Sequence, residues 1–178
     1  MKTFMLLALL PIFFCSAQAQ TFTTRSGFAA FYSKTELEDI RAEHKQVYGV
    51  IDVTGKRLAF TLLVKGFLFR KQLMQEHFNE NYVESDKYPK ASFTGTYTGE
   101  AIKQSLSKVQ VKGVLTMHGV SKEIEIPATL DWNDNKISGK ANFKVNPSDF
   151  NIKIPSLVRN KIAKQIDITI LMECNATK

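Results

Sequence analysis

The strongest constraint on this chain is a two-residue alternation of apolar and polar side chains. It is clearest near the C-terminus, where Ile166, Ile168, Ile170, Met172 and Cys174 fall on one side and Asp167, Thr169 and Glu173 on the other. Val109, Val111, Gly113, Leu115 and Met117 form a second such row, and Leu58, Phe60, Leu62 and Val64 a third. Ile124 and Ile126 alternate with Glu123 and Glu125. A period of two places successive side chains on opposite faces of a strand, so each segment is expected to bury one face and wet the other. That pattern belongs to antiparallel sheets rather than to the doubly covered parallel sheets of α/β proteins.

Turn residues punctuate the rows: Thr54-Gly55, Gly99, His118-Gly119, Asn133-Asp134-Asn135 and Asn146-Pro147. Gly, Asn and Asp tolerate positive φ, and Pro presets φ, so these pairs mark chain reversals. The stretch TLDWNDNKISG reads as a hairpin. Short strands at close spacing, without intervening helices, imply an antiparallel barrel or sandwich. One segment departs from period two. Leu73, Met74, His77, Phe78 and Tyr82 follow helical spacing, with Gln72, Gln75, Glu76, Asn79 and Glu80 on the other side. Pro89 forces Tyr88 into extended backbone and ends any helix. A helix over about 71–82 therefore lies between two strands, and in a barrel it would cover one end.

The first residues read as a secretory leader. Lys2 precedes the apolar run FMLLALLPIFFC, and Ala17 and Ala19 stand at the small positions of a cleavage site. The run is too short for a transmembrane helix. Bulky Phe14 before Cys15 argues against a lipidated cysteine. Cleavage is expected after Ala19, leaving residues 20–178 as one domain in the periplasm or outside the cell. After cleavage only Cys174 remains, so no internal disulfide is possible and the residue is read as a small apolar filler.

Lys and Arg total 24 against 17 Asp and Glu, a formal charge of +7. The basic residues are scattered among acids, as in KTELEDIRAEHK, and no basic run is interleaved with aromatics, which argues against nucleic acid. Transient contact with an anionic membrane surface fits the charge better. The three histidines, His44, His77 and His118, have no metal-ligand spacing, so no metal is expected. Nucleophile elbows, phosphate loops and dinucleotide fingerprints are missing. The chain is therefore not expected to be an enzyme. If it were, His77 or His118 would be the group to act on a small amphiphile.

Three blocks of sequence resemble the YceI-like family: FLFRKQLMQEHFNENYVESDKYPKASFTG, VKGVLTMHGVSKEIEIP and the tail ISGKANFKVNPSDFNIKIPSLVRNKIAKQIDITI. The likeness spans roughly residues 22–173. It implies an all-β, single antiparallel, roughly eight-stranded lipocalin-like β-barrel. It also implies a long apolar cavity for a polyisoprenoid chain, such as a quinone tail or a related amphiphile, and no resident cofactor. The first strand region, TFTTRSGFAAFYS, lacks the His-Ser pair found there in longer members.

On that reading the inward apolar side chains line the cavity. Before the helix these are Phe60, Leu62, Val64, Phe67 and Phe69, and on the helix they are Met74, Phe78 and Tyr82. His77, on the same stripe, either meets a ligand head group or borders the core. The later strands add Phe93, Leu115, Met117, Trp132 and Phe143. The same side chains could instead fill the barrel, as they do in small barrels. Such a filled barrel would have a structural or stress-related role. Nothing in the sequence sets an oligomeric state.

Overall fold

The computed structural model describes residues 20–133 and 135–177. The expected leader, residues 1–19, lies outside the described residues, as do Asp134 and Lys178. Eight long strands form the wall: β1 (Thr21–Lys34), β2 (Asp39–Asp52), β3 (Arg57–Leu63), β5 (Lys90–Thr98), β6 (Ser105–Met117), β7 (Val120–Asn133), β8 (Lys136–Val145) and β9 (Ile166–Ala176). Each pairs antiparallel with its neighbours. The sheet closes because β1 pairs with β2 on one side and β9 on the other. A two-residue strand, β4 (Leu68–Phe69), adds to β2 at Ala42 and Glu43. Closure leaves no long edge to attract another chain. Among the described residues this is the expected eight-stranded antiparallel barrel with one short α-helical segment.

The up-and-down order gives the barrel two different ends. The base carries the tight turns after β2 and β7 and the loop after β5. Asp52 organises the first of these turns. Its carboxylate accepts a hydrogen bond from the Gly55 N–H at 2.8 Å and pairs with Arg57 at 2.8 Å. These contacts, the Gly55 N–H foremost, hold the Asp52 carboxyl below the usual range. The top carries the β1–β2 turn, the His118-Gly119 turn and two long excursions, residues 64–89 and 146–165. His118 and Gly119 have φ of 51° and 72°, the two positive values that a type I′ hairpin requires.

The first excursion leaves the wall after Leu63 and rejoins it at Lys90, which are partners in the β3–β5 ladder. The Val64 N–H donates to the Pro89 carbonyl at 2.9 Å and ties its ends. Helix α1 (Gln72–His77) widens over Phe78–Tyr82 into a π-helical turn, with the Val83 N–H donating to the Phe78 carbonyl. The helix therefore occupies residues 72–82, as its apolar spacing predicts. It fits here because β3 is short. Only Tyr48–Asp52 of β2 pairs with β3, so the upper half of β2 is left for β4 and the Val64–Gly66 turn to cover, with α1 packed on β4.

At the base the interior is solid. Phe22 and Ile137 are fully buried, and Phe22 meets Trp132 edge-on at 6.0 Å. Cys174 is 1 % exposed, and burial pushes its thiol up to about 12. It is an apolar filler, inert as a nucleophile at neutral pH. Higher up, Phe93 lies over the cross-strand pair Gly95 and Gly113. A Cβ on Gly113 would come within 2.6 Å of the Phe93 ring. Both glycines are there for close approach rather than for a special backbone angle.

Candidate functional site

Above Phe93 the barrel opens into a cavity of about 520 Å³. Its wall comes from alternate residues of the strands: Ala29 and Phe31 of β1, Phe60 and Leu62 of β3, Leu115 and Met117 of β6, Phe143 and Val145 of β8, and Ile166, Ile168 and Ile170 of β9. Small residues help to keep it open, with Ala29, Ala30 and Ala91 in the wall.

The roof is an aromatic cluster. Phe78 of the helix stacks on Phe31 at 5.3 Å and also meets Phe67 at 5.9 Å and Phe69 at 5.1 Å. Phe31 contacts Phe67 and Phe69 as well. Ring contacts of this kind add about 0.5–1.5 kcal/mol each beyond area burial. Under the cluster, buried His44 packs edge-on against Phe67 and donates from Nε2 to the Leu63 carbonyl at 2.9 Å. Its Nδ1 accepts from the Gln46 N–H, so both ring nitrogens serve the scaffold.

The second excursion straps the other side of the top. Ile152, Ile154, Val158 and Ile162 line the cavity from it. Two hydrogen bonds anchor the strap. At one end His118 donates from Nδ1 to the Phe150 carbonyl at 2.8 Å, and at the other the Ala163 N–H donates to buried Ser33 Oγ at 2.9 Å. His118 Nε2 pairs with Glu84 at 2.9 Å, which links the strap to the first excursion. The turn at His118 thus also supplies a joint between the two covers.

Three polar side chains and one leucine gather where the cavity meets solvent. Lys71, Leu73, His77 and Lys161 are exposed and also belong to the lining, so they mark the mouth. Lys71 pairs with Glu38 at 2.9 Å. That bond, with the added charge of Lys161, holds the Glu38 carboxyl below its usual range. Tyr82, partly buried in the lining, has its phenol pushed up by desolvation.

Twelve of the residues proposed from sequence lie along this cavity: Phe60, Leu62, Val64, Phe67, Phe69, Met74, His77, Phe78, Tyr82, Leu115, Met117 and Phe143. His77 sits on the exposed rim rather than against the core. Phe93 and Trp132 are inward but do not line it. Phe93 stacks beneath Phe60 at 5.6 Å, in the filled layer. Trp132 lies at the base against Phe22. Sequence reading missed Phe31, Ile40 and the strap. Ile152 and Ile154 gave a faint period-two signal, but Phe31 gave none that could be placed. A bulge between Thr24 and Gly27 changes the inward parity of β1 from Phe22 and Thr24 to Ala29, Phe31 and Ser33. Among the described residues no group of three His, Cys, Asp or Glu side chains is placed to hold a metal ion.

The shape has known relatives. The chain superposes on a polyisoprenoid-binding domain from Saccharophagus degradans with a TM-score of 0.77 at 15 % identity, covering 90 % of this chain and all of that one. Burkholderia cenocepacia BcnA gives 0.72 at 16 % identity, over 83 % of this chain and 95 % of that one. In sequence, protein YceI of Escherichia coli O157:H7 is 27 % identical over 99 residues, which are 52 % of this chain and 48 % of that protein. A UPF0312 protein of Pseudomonas putida GB-1 is 31 % identical over 97 residues, 51 % of this chain and 47 % of its own. The match thus spans about half the length of these curated relatives. The model of the YceI-like domain matches residues 16–174, nearly the whole chain, and with the closed barrel it establishes that the protein belongs to the YceI-like family.

Proposed function

We propose that the cavity holds the hydrocarbon chain of an isoprenoid lipid, or of a similar long-chain amphiphile, and that the exported protein carries or stores it without transforming it. The observation that carries this reading is the distribution of polarity. The walls and roof are almost wholly aliphatic and aromatic, while Lys71, His77, Lys161 and Glu38 stand at the mouth. An amphiphile with its tail inside and its head at the opening matches that order. A cavity of about 520 Å³ is in the range of ligand sites, roughly 300–1,000 Å³. Burying ten methylene equivalents would yield roughly 8 kcal/mol. Association costs on the order of 4 kcal/mol or more reduce this to a modest net affinity. The polyisoprenoid-binding domain of Saccharophagus degradans shares the fold, which favours an isoprenoid over a straight acyl chain.

The void speaks against a filled structural barrel. The enzymatic alternative rests on His77 or His118; both nitrogens of His118 are engaged by Phe150 and Glu84, which leaves only exposed His77 on the rim. Export rests on the leader-like residues 1–19. The test is to purify the protein without detergent, extract it with organic solvent and identify the extract by mass spectrometry. A prenyl lipid is expected at near-stoichiometric amounts. Protein that is repeatedly recovered empty, and that also fails to bind added prenyl alcohol or prenyl quinone, would remove the reading.

A further inference from the structure

The strap has a second face that the cavity does not use. Ile154, Val158 and Ile162 turn into the cavity, but Leu157 between them is 90 % exposed. Residues 153–164 contain Lys153, Arg159, Lys161 and Lys164, all exposed, and no acid. Across the mouth, Leu73 is 61 % exposed beside Lys71, and Leu37 in the β1–β2 turn is 63 % exposed. The Lys71–Glu38 pair and the Ser33–Ala163 hydrogen bond hold these three elements around one opening. The rim acids Glu36, Glu38 and Glu76 lie on the turn and on α1, so positive charge concentrates on the strap.

A lone exposed leucine needs no explanation. An exposed leucine within an acid-free basic segment, whose neighbours line an apolar cavity, combines the two elements of interfacial attachment: an apolar side chain to insert and cations to meet anionic head groups. We infer that the strap and the rim around the mouth dock on the surface of a bilayer that contains anionic phospholipid, with Leu157 inserted among the acyl chains. Docked in this way, the mouth faces the bilayer, and a water-insoluble chain passes between membrane and cavity with little exposure to water. Each basic residue at the surface strengthens attachment roughly fivefold, and salt weakens it. The inference goes beyond the cavity reading and is tested apart from it.

The experiment uses the chain from residue 20 onward, which contains every strand of the closed barrel. It is mixed with vesicles of phosphatidylcholine, with and without phosphatidylglycerol, and binding is measured by co-flotation. Binding is expected only with phosphatidylglycerol. Lys153→Gln, Arg159→Gln and Lys164→Gln should each weaken it roughly fivefold, and Leu157→Asn should weaken it further. In a Trp132→Phe background, Leu157→Trp should show a blue shift in emission on adding the anionic vesicles. Ile102→Trp, at an exposed position on the base, should not. Equal binding to both vesicle types, indifference to the strap substitutions, or a shift at Ile102 but not at Leu157 would overturn the inference. So would a lipid-free dimer that Leu157→Asn disrupts, since that assigns the face to a second copy of the chain. Farnesol binding in solution is measured on the same proteins. Leu157→Asn that retains farnesol while losing vesicles separates docking from the cavity. Wild-type protein that docks but binds no farnesol would sink the cavity reading and support the docking face alone.

Discussion

Between Phe22 and Phe31 a single strand, β1, passes from the solid half of the barrel to the hollow half. Phe22 is fully buried and meets Trp132 across the base. Phe31 also points inward, but it reaches the roof, where it meets Phe67, Phe69 and Phe78. At the base, large side chains from facing strands fill the interior between them. At the top, Ala29 and Ala91 leave room in a wall that also carries Phe60 and Phe143, and Phe67, Phe69 and Phe78 form a ceiling above the space. The hollow therefore rests on small residues in part of the wall and on covering segments that place aromatic bulk over the end. The base supplies the burial that stabilises the barrel, and the top gives up packing to keep a site.

The same truncation made in both halves is the sharpest way to break this contrast. Phe22→Ala should cost about 3–5 kcal/mol in urea unfolding, since it opens a void in a close-packed layer. Phe78→Ala, at a partly buried roof position, should cost under about half of that while lowering affinity for a prenyl chain. Equal losses at the two sites would erase the distinction. Next in size is Gly113→Ala, which should destabilise by about 1–3 kcal/mol because the new methyl group would collide with the Thr94 carbonyl oxygen and lie 2.6 Å from Gly95 Cα and from the Phe93 ring. An unchanged melting temperature would mean that β5 and β6 do not approach as closely at the Gly95–Gly113 pair as the packed layer requires.

Asp52→Asn tests the base turn. It should lose about 1.5–2 kcal/mol at neutral pH, the low end for hydrogen bonds to a charged group because the Arg57 partner is exposed. The wild-type carboxyl is held below its unfolded value. Its contribution is present above about pH 4 and is lost as pH falls through the lower folded value. Stability measured from pH 7 down to pH 3 should therefore fall less steeply in Asp52→Asn than in the wild type. The smallest effect on stability is expected for Ala91→Leu, which places volume in the void. Unfolding should change by less than about 1 kcal/mol, while prenyl binding falls roughly tenfold. A large loss of stability there would show that the upper half is as tightly packed as the base.

Much of this architecture could be read before any coordinates. The rows 109–117 and 166–174 face inward as their alternation requires, the helix falls at residues 72–82, and His118-Gly119 forms the two-residue turn. These features depend on neighbours within a few positions, and local chemistry suffices for them. The site was legible only in part. The helix and β3 contributed because both combine clear periodicity with bulky apolar residues. Phe31 was hidden by the β1 bulge, and the strap by its irregular backbone, which offers no period to follow. Phe93 and Trp132 were inward but filled, and alternation treats every inward residue alike.

The sequence by itself determined the antiparallel all-β class and the covering helix, and the resemblance of its blocks to a family supplied the barrel of roughly eight strands. Each is written in short-range periodicity, in turn residues or in residue blocks. Only the tertiary structure decided which half of the barrel is solid and which is hollow, and which residues form the mouth. Those outcomes depend on whether a side chain meets a partner across the barrel, from a strand far away in sequence. Phe22 finds Trp132 there, while Ala29 and Leu115 face open space.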